Sequence, residues 1–262
     1  MTDTDTVTPT RFAPGTFTPA PKRASTARMV SAQGRMETIL FLRHGEQQLL
    51  SVIIPLVMLF ITARMPLLGE DTTIRQIFPM VLAIATTSSG FTGQAIALAF
   101  DRRYGALKRT GASGVPASTI IGGKVIAVGV MAGLQTLLLG GAALLLGWRT
   151  EPLGVILGLA VLFIGVAAFT ALGLLMGGTL SSELVLALAN LIWVVLVGAV
   201  GWVLWSHGLD AAGWYTAIPS VALASGLTLA FDGAVPWLEI LVLLAWAALA
   251  SAAAVRWFRF EA

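Results

Sequence analysis

Between Phe100 and Pro116 the chain reads FDRRYGALKRTGASGVP, with Arg102, Arg103, Lys108 and Arg109 inside eight residues. Cations at this density recognise acidic partners, either a groove on another protein or anionic lipid headgroups. In helical form, Asp101 to about Arg109 sets Tyr104, Leu107 and Lys108 on one side, at i, i+3 and i+4 spacing. Gly111 and Gly114 end such a helix, and Pro116 opens the next one. A short charged helix with one apolar edge suits docking into a protein. A basic anchor on lipid would use the same residues, and spacing alone does not choose between the two.

The other residue types that carry chemistry are scattered. Ile121-Gly122-Gly123-Lys124-Val125 approaches a phosphate-binding loop but lacks the first glycine spacing and the closing Ser or Thr. The chain is therefore not expected to hydrolyse nucleotide. Neither G-x-S-x-G nor H-E-x-x-H occurs, and the absence of Cys excludes thiol chemistry. His44 and His207 fall on opposite sides of the membrane in the topology below and cannot share a metal. His207 near Asp210 reads as a solvated interfacial histidine. No catalytic, cofactor-binding or metal-ligating residue is expected. Thr86, Thr87, Ser88, Ser89, Thr92 and Gln94 form an unusual polar run. It either lines a translocation path or bonds back to its own helix while packing tightly. The second reading suits the hydroxyls, and Gln94 is the better pathway residue. Gln135 and Asn190 are single amides in apolar stretches. An unpaired amide is costly in lipid, so each should face protein or a cavity.

The elements that must hold these residues follow from composition. Of 262 residues, 57% are hydrophobic and 11% charged, against about 25% charged in soluble domains. A freely soluble enzyme is excluded. The net charge of +3 comes from few, dispersed cations, which does not indicate a nucleic-acid partner. A membrane-spanning helix needs about 20 apolar residues. Six stretches qualify: about Leu49–Met65, Ile74–Phe100, Thr119–Leu146, Leu153–Leu175, Leu184–Trp205 and Val235–Val255. Residues 1–28, rich in Thr and Pro, read as a disordered cytoplasmic tail, and 29–262 as one transmembrane domain. Met29 to Gln48 is amphipathic and suits a helix in the membrane interface, with Arg43 and Glu46 about one turn apart. With the N-terminus in the cytoplasm, thirteen of the 16 Lys and Arg fall inside, leaving only Arg64, Arg75 and Arg149 outside. This positive-inside bias places both termini in the cytoplasm.

Ser206 to Pro236 is apolar but interrupted by Pro219, and reads as a short re-entrant outer segment rather than a seventh span. Gly129-x-x-x-Gly133, Gly154-x-x-x-Gly158 and Gly173-x-x-x-Gly177 allow close helix crossings, within the chain or between copies. Trp202, Trp205, Trp214 and Tyr215 fit an outer aromatic belt, and Trp257 with Phe258 an inner one.

Ion-coupled carriers keep acids or histidines at mid-membrane. Here Glu183 and Glu239 fall at span ends and Asp101 at a boundary, which disfavours an ion-coupled secondary transporter. A plain membrane anchor for a cytoplasmic partner is the other alternative. The loop itself resembles that of type-2 ABC exporter permeases, whose connection between the second and third spans runs roughly [DE]-R-x-x-G-[TA]-L-x-R-L-x-x-[ST]-P and ends in a G-K pair. Asp101, Arg102, Gly105, Ala106, Leu107, Arg109, Gly123 and Lys124 match. Thr110 stands where the family carries an apolar residue, and the proline falls a place or two late. RHGEQQLLSVIIPLVMLF, from Arg43 to Phe60, is similar to the family's arginine-plus-acid step into a proline-containing span.

The resemblance implies an all-α permease with six transmembrane helices and an N-terminal interfacial helix. It also implies a coupling helix carrying Asp101, Arg102, Arg103, Tyr104, Gly105, Leu107, Lys108 and Arg109. The partners implied are an ABC ATPase subunit in two copies, which binds ATP and Mg in place of this chain, and a second permease copy or paralogue. The expected role is export of a drug, antibiotic, lipid or glycan through the plasma membrane, the inner membrane in a bacterium.

Overall fold

The computed structural model describes residues 24–43, 45–65 and 73–257, together with position 16. Of the proposed tail, position 16 and residues 24–28 are described, and Thr26 to Arg28 already belong to α1 rather than to a disordered segment; the rest of it, His44 and Phe258 lie outside the described residues, as does the side chain of Glu46. Every described element is helical: α1 (Thr26–Arg43), α2 (Gly45–Arg64), α3 (Ile74–Thr87), α4 (Gly93–Arg103), α5 (Ala106–Ala112), α6 (Ala117–Leu145), α7 (Pro152–Thr179), α8 (Ser182–Ser206), α9 (Pro219–Phe231) and α10 (Trp237–Trp257). A π-helical turn, Ser88–Thr92, joins α3 to α4 in one continuous rod.

Five helical segments are long and apolar enough to cross a membrane: Ile74–Arg103, α6, α7, α8 and α10. They coincide with the second to sixth stretches read from the sequence. The first stretch is helical as α2, but its described apolar part, Ser51–Arg64, is shorter than a full span. Pro55 sits within α2 and is buried.

Helix α7 is the hub, and its glycines explain why. A side chain at Gly173 would meet the carbonyls of Phe91 and Gly90 at 2.5 and 2.9 Å, and one at Gly177 would strike the Ala95 carbonyl. Gly154 and Gly158 do the same for α9, where Phe231 fills the space that Cβ atoms would need. The glycine pairs of α7 are thus used inside the chain rather than between copies. Gly129 touches only the Phe163 ring, and Gly133 has open space around it.

Within Ser206–Pro236, read as a short re-entrant segment, the structure has one α-helix, α9, enclosed by protein. Only Leu229 among its 13 residues escapes full burial, because α3, α7, α8 and α10 surround it. At 13 residues it rises about 20 Å, too short to cross. Aromatic packing holds its C-terminal end: Trp148 lies 4.5 Å from Phe78 and 5.1 Å from Phe231 between ring centroids. The Thr150 hydroxyl donates to the Phe231 carbonyl, and Arg75 pairs with Asp232. Glu239, at the start of α10, is also buried under α9, where the Ser225 hydroxyl donates to it at 3.2 Å.

Candidate functional site

The basic loop does not form the single helix from Asp101 to Arg109 that its spacing predicts. Helix α4 stops at Arg103, the chain turns through Tyr104 and Gly105, and α5 starts afresh at Ala106. Gly105 has φ +69°, a left-handed conformation open to glycine and strained for other residues. The break changes which residues face outward. Leu107 is 4% exposed and packs with Leu98, Ile120, Ile121, Leu174 and Ala254. It anchors α5 to the bundle and cannot be part of an exposed docking edge. Tyr104 is 70% exposed, its ring stacked on Phe100, and Lys108 and Arg109 are exposed beside it.

Two of the four cations act inside the fold. Arg102 is buried and donates to the carbonyls of Gly177 and Leu180, both at 2.9 Å. These are orphan acceptors at the C-terminal end of α7, where a cation also complements the helix dipole. Arg103 pairs with Glu183 at 2.6 Å, tying α4 to the first turn of α8. The rod from Ile74 to Arg103 is therefore fastened at its end to the α7–α8 connection, and α5 projects beyond that joint.

Asp101 and Lys124 meet in space, joined by a residue the sequence did not single out. The Lys124 ammonium, on a side chain 4% exposed, lies 3.0 Å from Glu37 Oε2 and 3.4 Å from Asp101 Oδ2. Gln33 donates to Glu37 Oε1 at 3.0 Å. One buried cation thus links α1, α4 and α6. A lysine inside an apolar stretch needs a partner, and this was the signal in the sequence. Glu37 and Asp101, 87 and 23 residues away, are brought to it only by the fold. Helix α1 reaches this position by lying along α6, with Val30 against Gly122, Gln33 against Gly123 and Gly34 against Ile126. Arg43 ends α1 exposed to solvent.

The candidate pathway residues are not gathered into one place. Gln94 is 3% exposed and lines a cavity of about 380 Å³ between α1, α4, α5 and α6. Gln135 faces protein, donating to the Ser51 carbonyl at 3.0 Å and holding α6 to α2. Asn190 is exposed on α8, its amide bonded to Leu186 of the same helix. Thr86, Thr87 and Ser89 bond back to Leu82, Ala83 and Ala85, so these hydroxyls serve their own helix. Ser88, Ser89 and Thr92 border a second, mostly apolar cavity of about 300 Å³, with Pro55 and Met58 of α2 and Trp193 of α8 across from them. The π turn creates the space. There the Gly93 amide donates five residues back to Ser88, which widens the helix toward α2 and α8. The Thr92 hydroxyl and Trp193 indole N–H have no hydrogen-bond partner among the described residues. Phe41 and Gly93 border both cavities.

At the opposite end of the bundle His207 contacts Ser206 and the Tyr215 ring, with no ion pair to Asp210. Trp202, Trp205 and Trp214 are exposed there, as an interfacial belt requires.

A family model described as ABC-2 type transporter matches residues 30–218 of the chain. No curated protein and no solved structure matches it.

Proposed function

Because the chain belongs to the ABC-2 type transporter family, making it the membrane permease component of an ABC transporter, we propose that it exports a hydrophobic or amphipathic compound. The family implies an ABC ATPase partner, and we assign α5 and the Tyr104 turn as the surface that partner grips. The end of the bundle carrying α5 then faces the cytoplasm, and α2 completes six spans with both termini inside. The observation that carries this reading is the joint at Gly105. A seven-residue helix, nailed to the core through Leu107, presents Lys108 and Arg109 outward, with Tyr104 exposed in the turn before it, at the tip of a rod clamped by Arg102 and Arg103. A push on α5 is carried into α4 and α7 as a rigid displacement, because packed interiors transmit strain rather than absorb it.

The cavity beside the π turn is the proposed compartment for cargo: apolar walls, four hydroxyl residues and an indole N–H suit a largely apolar molecule with one or two polar groups. A second permease copy or paralogue, with two ATPase copies, would complete the assembly. Supporting that, α8 leaves Leu184, Leu191, Val194 and Val195 exposed together with the amide of Asn190, and an amide facing lipid is costly. Drug or antibiotic efflux is the cargo class the family resemblance favours.

The test is Tyr104→Ala combined with Arg109→Glu. The double variant should insert and melt like the wild-type protein yet lose stimulation of ATP hydrolysis in the co-expressed ATPase. Leu107→Ala, by contrast, should lower stability by about 2–5 kcal/mol, as for other buried leucines. Wild-type stimulation from the double variant would remove α5 as the docking surface.

A further inference from the structure

We propose that the cavity between α1, α4, α5 and α6 is a binding site for an amphipathic organic monocation. Glu37 and Asp101 contribute two carboxylates and Lys124 one ammonium, and among the described residues no other charged side chain lines the cavity. The excess is one negative charge. Asp101 leaves 43% of its side chain exposed, so the carboxylate is accessible and not used up by Lys124. Apart from Gln33, Gln94 and Thr110 the rest of the wall is apolar, formed largely by Met36, Leu40, Phe41, Phe100 and Ile120. A small metal ion would find too few ligands in such a wall, and an anionic or phosphate-bearing headgroup would be repelled by the carboxylates.

Gln94 supplies the independent sign of a ligand. Its residue is 3% exposed, lines the cavity, and finds no hydrogen-bond partner among the described residues. The amide therefore has only water or a bound molecule in the cavity to satisfy it. At about 380 Å³ the cavity has the size of a small organic ligand site. A cationic head would lie against Asp101 and Glu37, with its apolar body on the phenylalanines. Ala106, Leu107 and Thr110 of α5 form part of the same wall. Occupancy therefore touches the surface assigned to the ATPase, and the shared border at Phe41 and Gly93 leads toward the second cavity.

Which side of the membrane the ligand arrives from rests on the orientation proposed above, but binding does not, and the experiment keeps the two apart. The full-length chain is placed in phosphatidylcholine nanodiscs, with empty discs subtracted. Titrations use 4-phenylbutyltrimethylammonium, the neutral 4-phenylbutanol and the anionic 5-phenylpentanoate. The cation should bind saturably, once per chain and at least about tenfold tighter than the alcohol, with no binding of the carboxylate. Glu37→Gln and Asp101→Asn should each weaken the cation about tenfold and leave the alcohol unchanged. Gln94→Leu should weaken it several-fold. Ser88→Ala, in the other cavity, should have no effect. Should Glu37→Gln fail to fold, Asp101→Asn tests the same charge at the more exposed position. Equal affinity for cation and alcohol, or charge-neutralised variants that bind the cation normally, would overturn the site. Charge-selective binding without ATP-driven export would leave the site standing and remove the exporter reading.

Discussion

Lys124 shows how one residue can hold several elements in register. Its ammonium is shared by Glu37 of α1 and Asp101 of α4 while its own backbone belongs to α6. Buried pairs of this kind add little net stability, but breaking one leaves an uncompensated charge. Lys124→Met should therefore destabilise the protein by about 3–5 kcal/mol in thermal or denaturant unfolding. Much of the loss should return when Glu37→Gln is added, since that removes one of the two stranded carboxylates. If Lys124→Met melted like wild type, the three-way pairing would not form in the folded protein. The same residue-level logic separates Arg102 from Arg109. Both are basic and both lie in one loop, yet the first caps α7 from inside the protein and the second faces solvent.

Among the elements, α7 crosses the π turn and α4 with backbone against backbone at Gly173 and Gly177. Gly177→Val would drive a side chain into the Ala95 carbonyl, which the helix cannot move away without breaking its own ladder. Overpacking of this kind costs about 1–3 kcal/mol or more, so the variant should show a lowered melting temperature. Gly133→Val, which meets nothing within 4 Å, should not. Equal melting temperatures for the two would mean that α4 and α7 do not cross there. Glycines spaced four apart mark a face that can approach closely. They do not say whether the approaching helix belongs to the same chain, and here α4 and α9 fill the place a second copy might have taken.

The molecule as a whole is a bundle with two dissimilar ends. One carries α5, the Lys124 cluster and most of the described basic residues; the other carries exposed tryptophans and the aromatic clasp on α9. The chain contains no Cys, so single cysteines can report sidedness against a silent background. In intact cells a membrane-impermeant maleimide should label Ala211→Cys and reach Ser113→Cys only after lysis. Labelling of both from one side would exclude the six-span threading. Both sites are exposed in the fold, so failure to react reports the membrane and not burial.

The sequence by itself determined the class of molecule, the place of five long helices and the position of the basic loop, because these depend on local apolar runs and on charge density along the chain. It also favoured hydroxyls that bond back to their own helix, an interaction of residues three or four apart, which Thr86, Thr87 and Ser89 make, whereas Ser88 and Thr92 border a cavity. Only the tertiary structure decided that Leu107 turns inward, that Arg102 caps α7, that α9 is enclosed, and that Glu37 faces Lys124. Each of these depends on a partner dozens of residues away, and periodicity specifies which face of a helix is buried without specifying what buries it.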